Sequence, residues 1–151
     1  MKKIIIIGAG AMGSAFAVPC VDNKNDVTIV GTHLENDLIE KIKSNDQIHP
    51  ALKTKLSSEV KFEKFEKLQT ILNQDLDIIV CGVSSIGIEW FVQQISKKYK
   101  KGLPIILLTK GLSILDNELT TLSDKIRTLL SKDGHSEINI SAIKGPCLAA
   151  G

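Results

Sequence analysis

The chain of 151 residues predicts an α/β fold, a doubly wound and mainly parallel sheet with helices on both faces. Three observations predict it. Short, continuously apolar runs recur, as strands covered on both faces require. Longer stretches with apolar residues at helical spacing separate them, so strand and helix alternate about every 20 to 30 residues. A glycine-rich turn follows the first run directly.

The elements follow in order. Lys3–Ile7 ends in four isoleucines and reads as a buried strand. Ala11–Val21 reads as a helix with one flaw, Pro19, which removes a hydrogen bond and either kinks the helix or ends it early. Val27–Val30 is the second strand, and Glu35–Lys43 has helical spacing through Leu38, Ile39 and Ile42. His49-Pro50 breaks the pattern; Val60–Phe62 is a short third strand and Phe65–Leu72 a short helix. Leu76–Val83 is the fourth strand, Ile88–Tyr99 a helix, and Ile105–Leu108 the fifth strand. Leu115–Leu130 reads as one helix through Leu119, Leu122, Ile126, Leu129 and Leu130, and Ile138–Ile143 as the sixth strand.

The turn between the first strand and helix is GAGAMG, with glycines at Gly8, Gly10 and Gly13. In a strand–turn–helix setting this spacing is the Rossmann dinucleotide signature. The first glycine permits a tight turn, the second leaves room for a pyrophosphate, and the third lets helix and strand approach. Amides around Ala11 and Met12, at the helix N-terminus, would face the phosphates. The competing reading is a tight turn that binds nothing. The opening MKKIIIIGAGAMGSAFA also has the outline of a secretory leader, but three glycines interrupt the apolar stretch that such a leader needs.

The end of the second strand bears on the cofactor. An acidic residue there grips the ribose of NAD, and a basic one favours the 2′-phosphate of NADP. The chain offers Thr32 and His33, with no carboxylate until Glu35, so NAD and NADP both stay open.

Composition excludes several classes. A net charge of +2 with scattered lysines, apart from Lys97–Lys101, argues against a nucleic-acid partner. Three cysteines and three histidines are too dispersed for a disulfide framework or a metal site. No segment reaches the roughly 18 uninterrupted apolar residues of a membrane span. A cytoplasmic chain with no membrane partner is the expectation.

Four further segments lie at strand ends or loops: IHPAL at Ile48–Leu52, GVSS at Gly82–Ser85, LTKGL at Leu108–Leu112 and KGPCLAAG at Lys144–Gly151. With the glycine turn, their order resembles the N-terminal half of NAD(P)-dependent glycerol-3-phosphate dehydrogenase. Lys110 follows the carboxyl end of the fifth strand, where a cation can hold a phosphate or polarise a carbonyl; a solvent-facing lysine is the plain alternative. The resemblance implies that Lys110 contacts substrate and cofactor as the catalytic residue. It also implies that Gly145 and Cys147 line the substrate side, and that Ser85 and Ala149 join Gly8, Gly10, Ala11, Met12, Gly13, Thr32 and His33 on the cofactor side. The family has serine or threonine at the position of Cys147, proline-serine in place of Ser84-Ser85, and glutamate in place of Gly151.

The resemblance further implies hydride transfer between NAD or NADP and a small-molecule substrate, glycerol 3-phosphate or dihydroxyacetone phosphate. Residues 1–151 would form the dinucleotide-binding domain, and a helical C-terminal domain carrying a second lysine would follow. The chain alone would then bind dinucleotide, turn over substrate poorly, and associate as a homodimer. Two alternatives stand beside this: a non-catalytic dinucleotide-binding or redox-sensing module, and a related dehydrogenase for another hydroxy acid.

Overall fold

Four consecutive isoleucines place β1 (Lys3–Ile7) at the centre of the sheet, because their side chains alternate between two cores. Ile5 and Ile7 enter one core and Ile4 and Ile6 the other. Full burial of an isoleucine contributes about 2 kcal/mol, so this strand anchors both halves. The computed structural model describes residues 1–143.

The remaining elements follow in chain order. They are α1 (Ala11–Asp22), β2 (Asp26–Val30), α2 (Asn36–Ser44), then a hairpin of β3 (Ile48–His49) and β4 (Thr54–Lys55). Next come β5 (Lys61–Glu63), a 3-10 turn at Phe65–Lys67, α3 (Leu68–Leu72) and β6 (Ile78–Cys81). A second 3-10 turn at Ser85–Gly87 leads into α4 (Ile88–Ser96) and β7 (Ile105–Leu107). The hairpin of β8 (Leu112–Leu115) and β9 (Glu118–Thr121), then α5 (Leu122–Lys132) and β10 (Ile140–Ala142), complete the described residues.

The six-stranded sheet has the order β10-β7-β6-β1-β2-β5, and every pairing in it is parallel. Helices α1 and α2 cover one face, with Ala17, Val21, Ile39 and Ile42 buried. Helices α3, α4 and α5 cover the other through residues such as Leu68, Phe91, Ile95 and Ile126. The chain leaves β1 toward β2 on one side and returns to β6 on the other. A crevice therefore opens at the carboxyl ends of β1 and β6, where open α/β sheets bind ligands.

Two expectations change. Of the two readings of Pro19, the early end is set aside: helix α1 runs through it to Asp22. Pro19 and Ala15 both lie on the exposed face, so the carbonyl deprived of its partner is open to water. The anticipated helix over 115–130 begins only at Leu122, and its first turns are the β8–β9 hairpin. Asp116 and Asn117 have φ of 51° and 65°, the conformation of a two-residue hairpin turn that these residues tolerate. Thr121 then caps the helix, its hydroxyl accepting from the Asp124 amide at 3.1 Å. Lys125 is buried on α5 and ties the hairpin down, pairing with Glu89 at 2.6 Å and donating to Ser113 Oγ at 3.1 Å.

Cys81 ends β6 under the crevice, and burial pushes its thiol from 9.0 up to about 12. The folded chain therefore holds this proton after the unfolded chain has released it. The thiol's contribution to stability is complete below the unfolded value and falls as pH rises toward the folded one. Urea unfolding at rising alkaline pH should show a loss of stability that Cys81→Ala reduces. Equal slopes in the two proteins would refute this contribution.

Candidate dinucleotide site

The carboxyl ends of β1 and β6 meet at backbone level. Gly8 has φ of +111°, and a Cβ there would lie 2.7 Å from the carbonyl carbon of Gly82. Gly8 N–H donates to the Val30 carbonyl at 2.9 Å, and Gly82 N–H to Ile7 at 2.8 Å. The two strand-to-helix turns therefore continue the sheet's hydrogen bonding while touching one another. Gly13 lies beneath, where a Cβ would sit 2.4 Å from the Gly8 carbonyl oxygen.

Gly10 differs. It precedes α1 in extended conformation (φ −63°, ψ 174°), and a Cβ there would meet only Glu35 Oε1 at 3.9 Å. Its missing side chain leaves open space beside the first amides of α1, which have no partners within the helix. This is the cradle a pyrophosphate needs. A cavity of about 860 Å³ opens here and runs along the carboxyl ends of the strands. Following the strand order, Thr32 and His33 after β2 line one end, Gly10, Ala11 and Met12 after β1 come next, and Leu108, Thr109 and Lys110 after β7 line the other end. Its size lies within the range of small-molecule and cofactor pockets, about 300 to 1,000 Å³. The residues present therefore fit a dinucleotide.

Glu35 was passed over in the sequence because it lies five residues beyond the end of β2. Its carboxylate reaches back, and Oε2 accepts from the amides of Thr32 at 2.8 Å and Ala9 at 3.1 Å. The acidic group sought at the strand end is thus supplied from the start of α2, beside Gly10. The signal was a glutamate whose backbone starts a helix but whose side chain serves the preceding turn. His33 is drawn into an aromatic group at the cavity rim, its ring 5.4 Å from Trp90 and 6.0 Å from Phe65. Trp90, on α4, also lines the cavity.

In the turn after β6 the wall is made by Val83, Ser84, Ile86 and Gly87. Ser85 begins the 3-10 turn and is exposed outside that wall. Thr109 Oγ1 donates to the Val83 carbonyl and joins the ends of β6 and β7. Lys110 follows at the cavity's end, and Gly111 beyond it has φ of +117°. Gly145, Cys147 and Ala149 lie outside the described residues. Among the described residues no three His, Cys, Asp or Glu side chains converge on a metal position. No helix among them is long and apolar enough to cross a membrane.

Comparison with known proteins is consistent along the chain. Residues 3–151 match the family described as NAD-dependent glycerol-3-phosphate dehydrogenase N-terminus. The NADP(+)-dependent glycerol-3-phosphate dehydrogenase of Archaeoglobus fulgidus is 36% identical over 146 residues, covering 97% of this chain and 42% of that protein. Glycerol-3-phosphate dehydrogenase [NAD(P)+] of Mesoplasma florum is 32% identical over 149 residues, covering 98% and 42%. The crystal structure of glycerol-3-phosphate dehydrogenase from Coxiella burnetii shares the fold with a TM-score of 0.74 at 18% identity, covering 98% of this chain and 42% of that one. The chain spans about two fifths of the length of these relatives. By its sequence match over nearly its whole length, this chain belongs to the family of NAD-dependent glycerol-3-phosphate dehydrogenase N-terminal domains.

Proposed function

We propose that the chain is the dinucleotide-holding domain of a cytoplasmic oxidoreductase that interconverts glycerol 3-phosphate and dihydroxyacetone phosphate. The observation that carries this is the cavity of about 860 Å³, lined by both the glycine turn and Lys110. A bound nicotinamide supplies or accepts the hydride. Gly10 and the amides of α1 hold the phosphates, Glu35 faces the adenosine ribose, and Lys110 holds the substrate's phosphate or its carbonyl oxygen. Gly145 and Cys147 complete the substrate side in this proposal, and Ala149 the cofactor side. The acid/base group belongs to the part of the longer relatives that this chain does not span. Titration of the purified chain with NADH and NADPH, followed by nicotinamide fluorescence, should give saturable binding. A folded chain that binds neither refutes the proposal.

Glu35 gives a sharper expectation. Its charge lies where a 2′-phosphate would approach, and two anions a few ångströms apart repel strongly in a partly desolvated site. Glu35→Gln should raise the ratio of NADPH to NADH affinity about tenfold. An unchanged ratio in paired titrations would count against this placement of the ribose.

A homodimer is part of the same proposal. The β8–β9 hairpin presents Leu112, Ile114 and Leu119 at 58%, 66% and 72% exposure, an apolar face that supports docking of a partner. Sedimentation velocity should show reversible dimerisation; a monomer at every concentration overturns it.

A further inference from the structure

His49 is 1% exposed, yet it belongs to the short β3–β4 hairpin rather than to the main sheet. A buried imidazole needs partners on both nitrogens. Nδ1 faces the amides of Ala51 at 3.2 Å and Leu52 at 3.3 Å, so it accepts and carries no proton. The ring proton is then on Nε2, which donates to the Ala9 carbonyl at 3.0 Å. The hairpin's own amides thus select the tautomer that reaches the glycine turn.

Ala9 sits between the first two glycines of that turn. Its carbonyl also accepts from Ser14 Oγ at 3.1 Å, and its amide donates to Glu35. The Ala9 carbonyl and the Gly10 N–H belong to one planar trans peptide and point in opposite directions. Drawing the carbonyl toward His49 and Ser14 therefore aims the Gly10 N–H the other way. Gly10 lines the cavity.

We propose that His49 is a positioning residue for the phosphate-binding turn: through the Ala9 carbonyl it orients the Gly10 amide toward the dinucleotide. This rests on the dinucleotide proposal above for its functional meaning. The loop at Ile48–Leu52 therefore acts on the cofactor site from 40 residues away in sequence, without being assigned any contact with the ligand. Ser14 shares the carbonyl, but it is part of α1 and moves with it, whereas His49 ties the turn to a separate element.

Two isosteres separate positioning from simple structural support. In His49→Asn the carboxamide oxygen replaces Nδ1 and keeps the hairpin amides satisfied, but nothing from the hairpin reaches the Ala9 carbonyl. In His49→Gln the longer carboxamide places a donor at Nε2. Both variants of the full chain should melt below wild type. His49→Asn should lose about tenfold in NADH affinity, the loss expected of one hydrogen bond, while His49→Gln stays within about threefold. Amide exchange of the unliganded chain should quicken at Gly10 in His49→Asn and not in His49→Gln. Wild-type affinity in His49→Asn overturns the proposal, as does a loss in both variants that only follows their melting temperatures. If exchange at Gly10 follows the isosteres but even wild type binds no dinucleotide, positioning stands and the dinucleotide proposal fails.

Discussion

Gly13→Ala is expected to eliminate dinucleotide binding and to destabilise the fold by on the order of 3 kcal/mol, the upper range of overpacking costs. The added Cβ would come within 2.4 Å of the Gly8 carbonyl oxygen and 3.3 Å of Ile6 Cγ2. The nearer atom is backbone and cannot swing aside. Any relief must separate α1 from β1, and the opposing contact between Gly8 and Gly82 limits that movement. Gly10→Ala is the control, because its Cβ meets nothing closer than 3.9 Å in the unliganded chain. It should unfold like wild type in urea and still bind NADH at least tenfold more weakly, about the effect of filling the space a phosphate occupies. Native stability and affinity in Gly13→Ala would show that the turn is not packed as described.

Lys110→Ala is the second large effect. In a protein extended to the length of its relatives, kcat/KM for dihydroxyacetone phosphate should fall about 100- to 1,000-fold, with NADH affinity changed no more than about threefold. The reasoning is positional. Lys110 leaves the carboxyl end of β7 at the cavity wall, where its ammonium can stabilise charge that develops as a carbonyl is reduced. A role in cofactor binding alone would instead weaken NADH affinity and spare turnover at saturation. Full activity in Lys110→Ala would remove the lysine from the chemistry.

Much of the architecture was legible because buried parallel strands are conspicuous. Ile4–Ile7 and Ile78–Cys81 are apolar on both faces, and only a sheet covered on both sides accommodates them. Where local pattern and tertiary structure differ, the reasons are specific. Leu115, Leu119 and Leu122 have helical spacing, but the Asp116-Asn117 turn and the Thr121 cap outweigh it. Whether Pro19 would kink its helix or end it stayed open because its exposure cannot be read from one sequence. Glu35 was illegible for a different reason: its partners are backbone amides in two other segments, which no side-chain pattern encodes. His49 stood inside a noted motif, but its link to Ala9 exists only once the hairpin folds back over α1's start.

Trp90 has an optical consequence. It is the chain's single tryptophan and stands in the cavity wall against His33. Indole emission overlaps the absorption band of a reduced nicotinamide, and resonance energy transfer operates over distances longer than this cavity. Excited in the near ultraviolet, the protein should dim as NADH enters while the nicotinamide brightens in proportion. The same indole should respond far less to the oxidised form, so one intrinsic chromophore distinguishes the two redox states without a label.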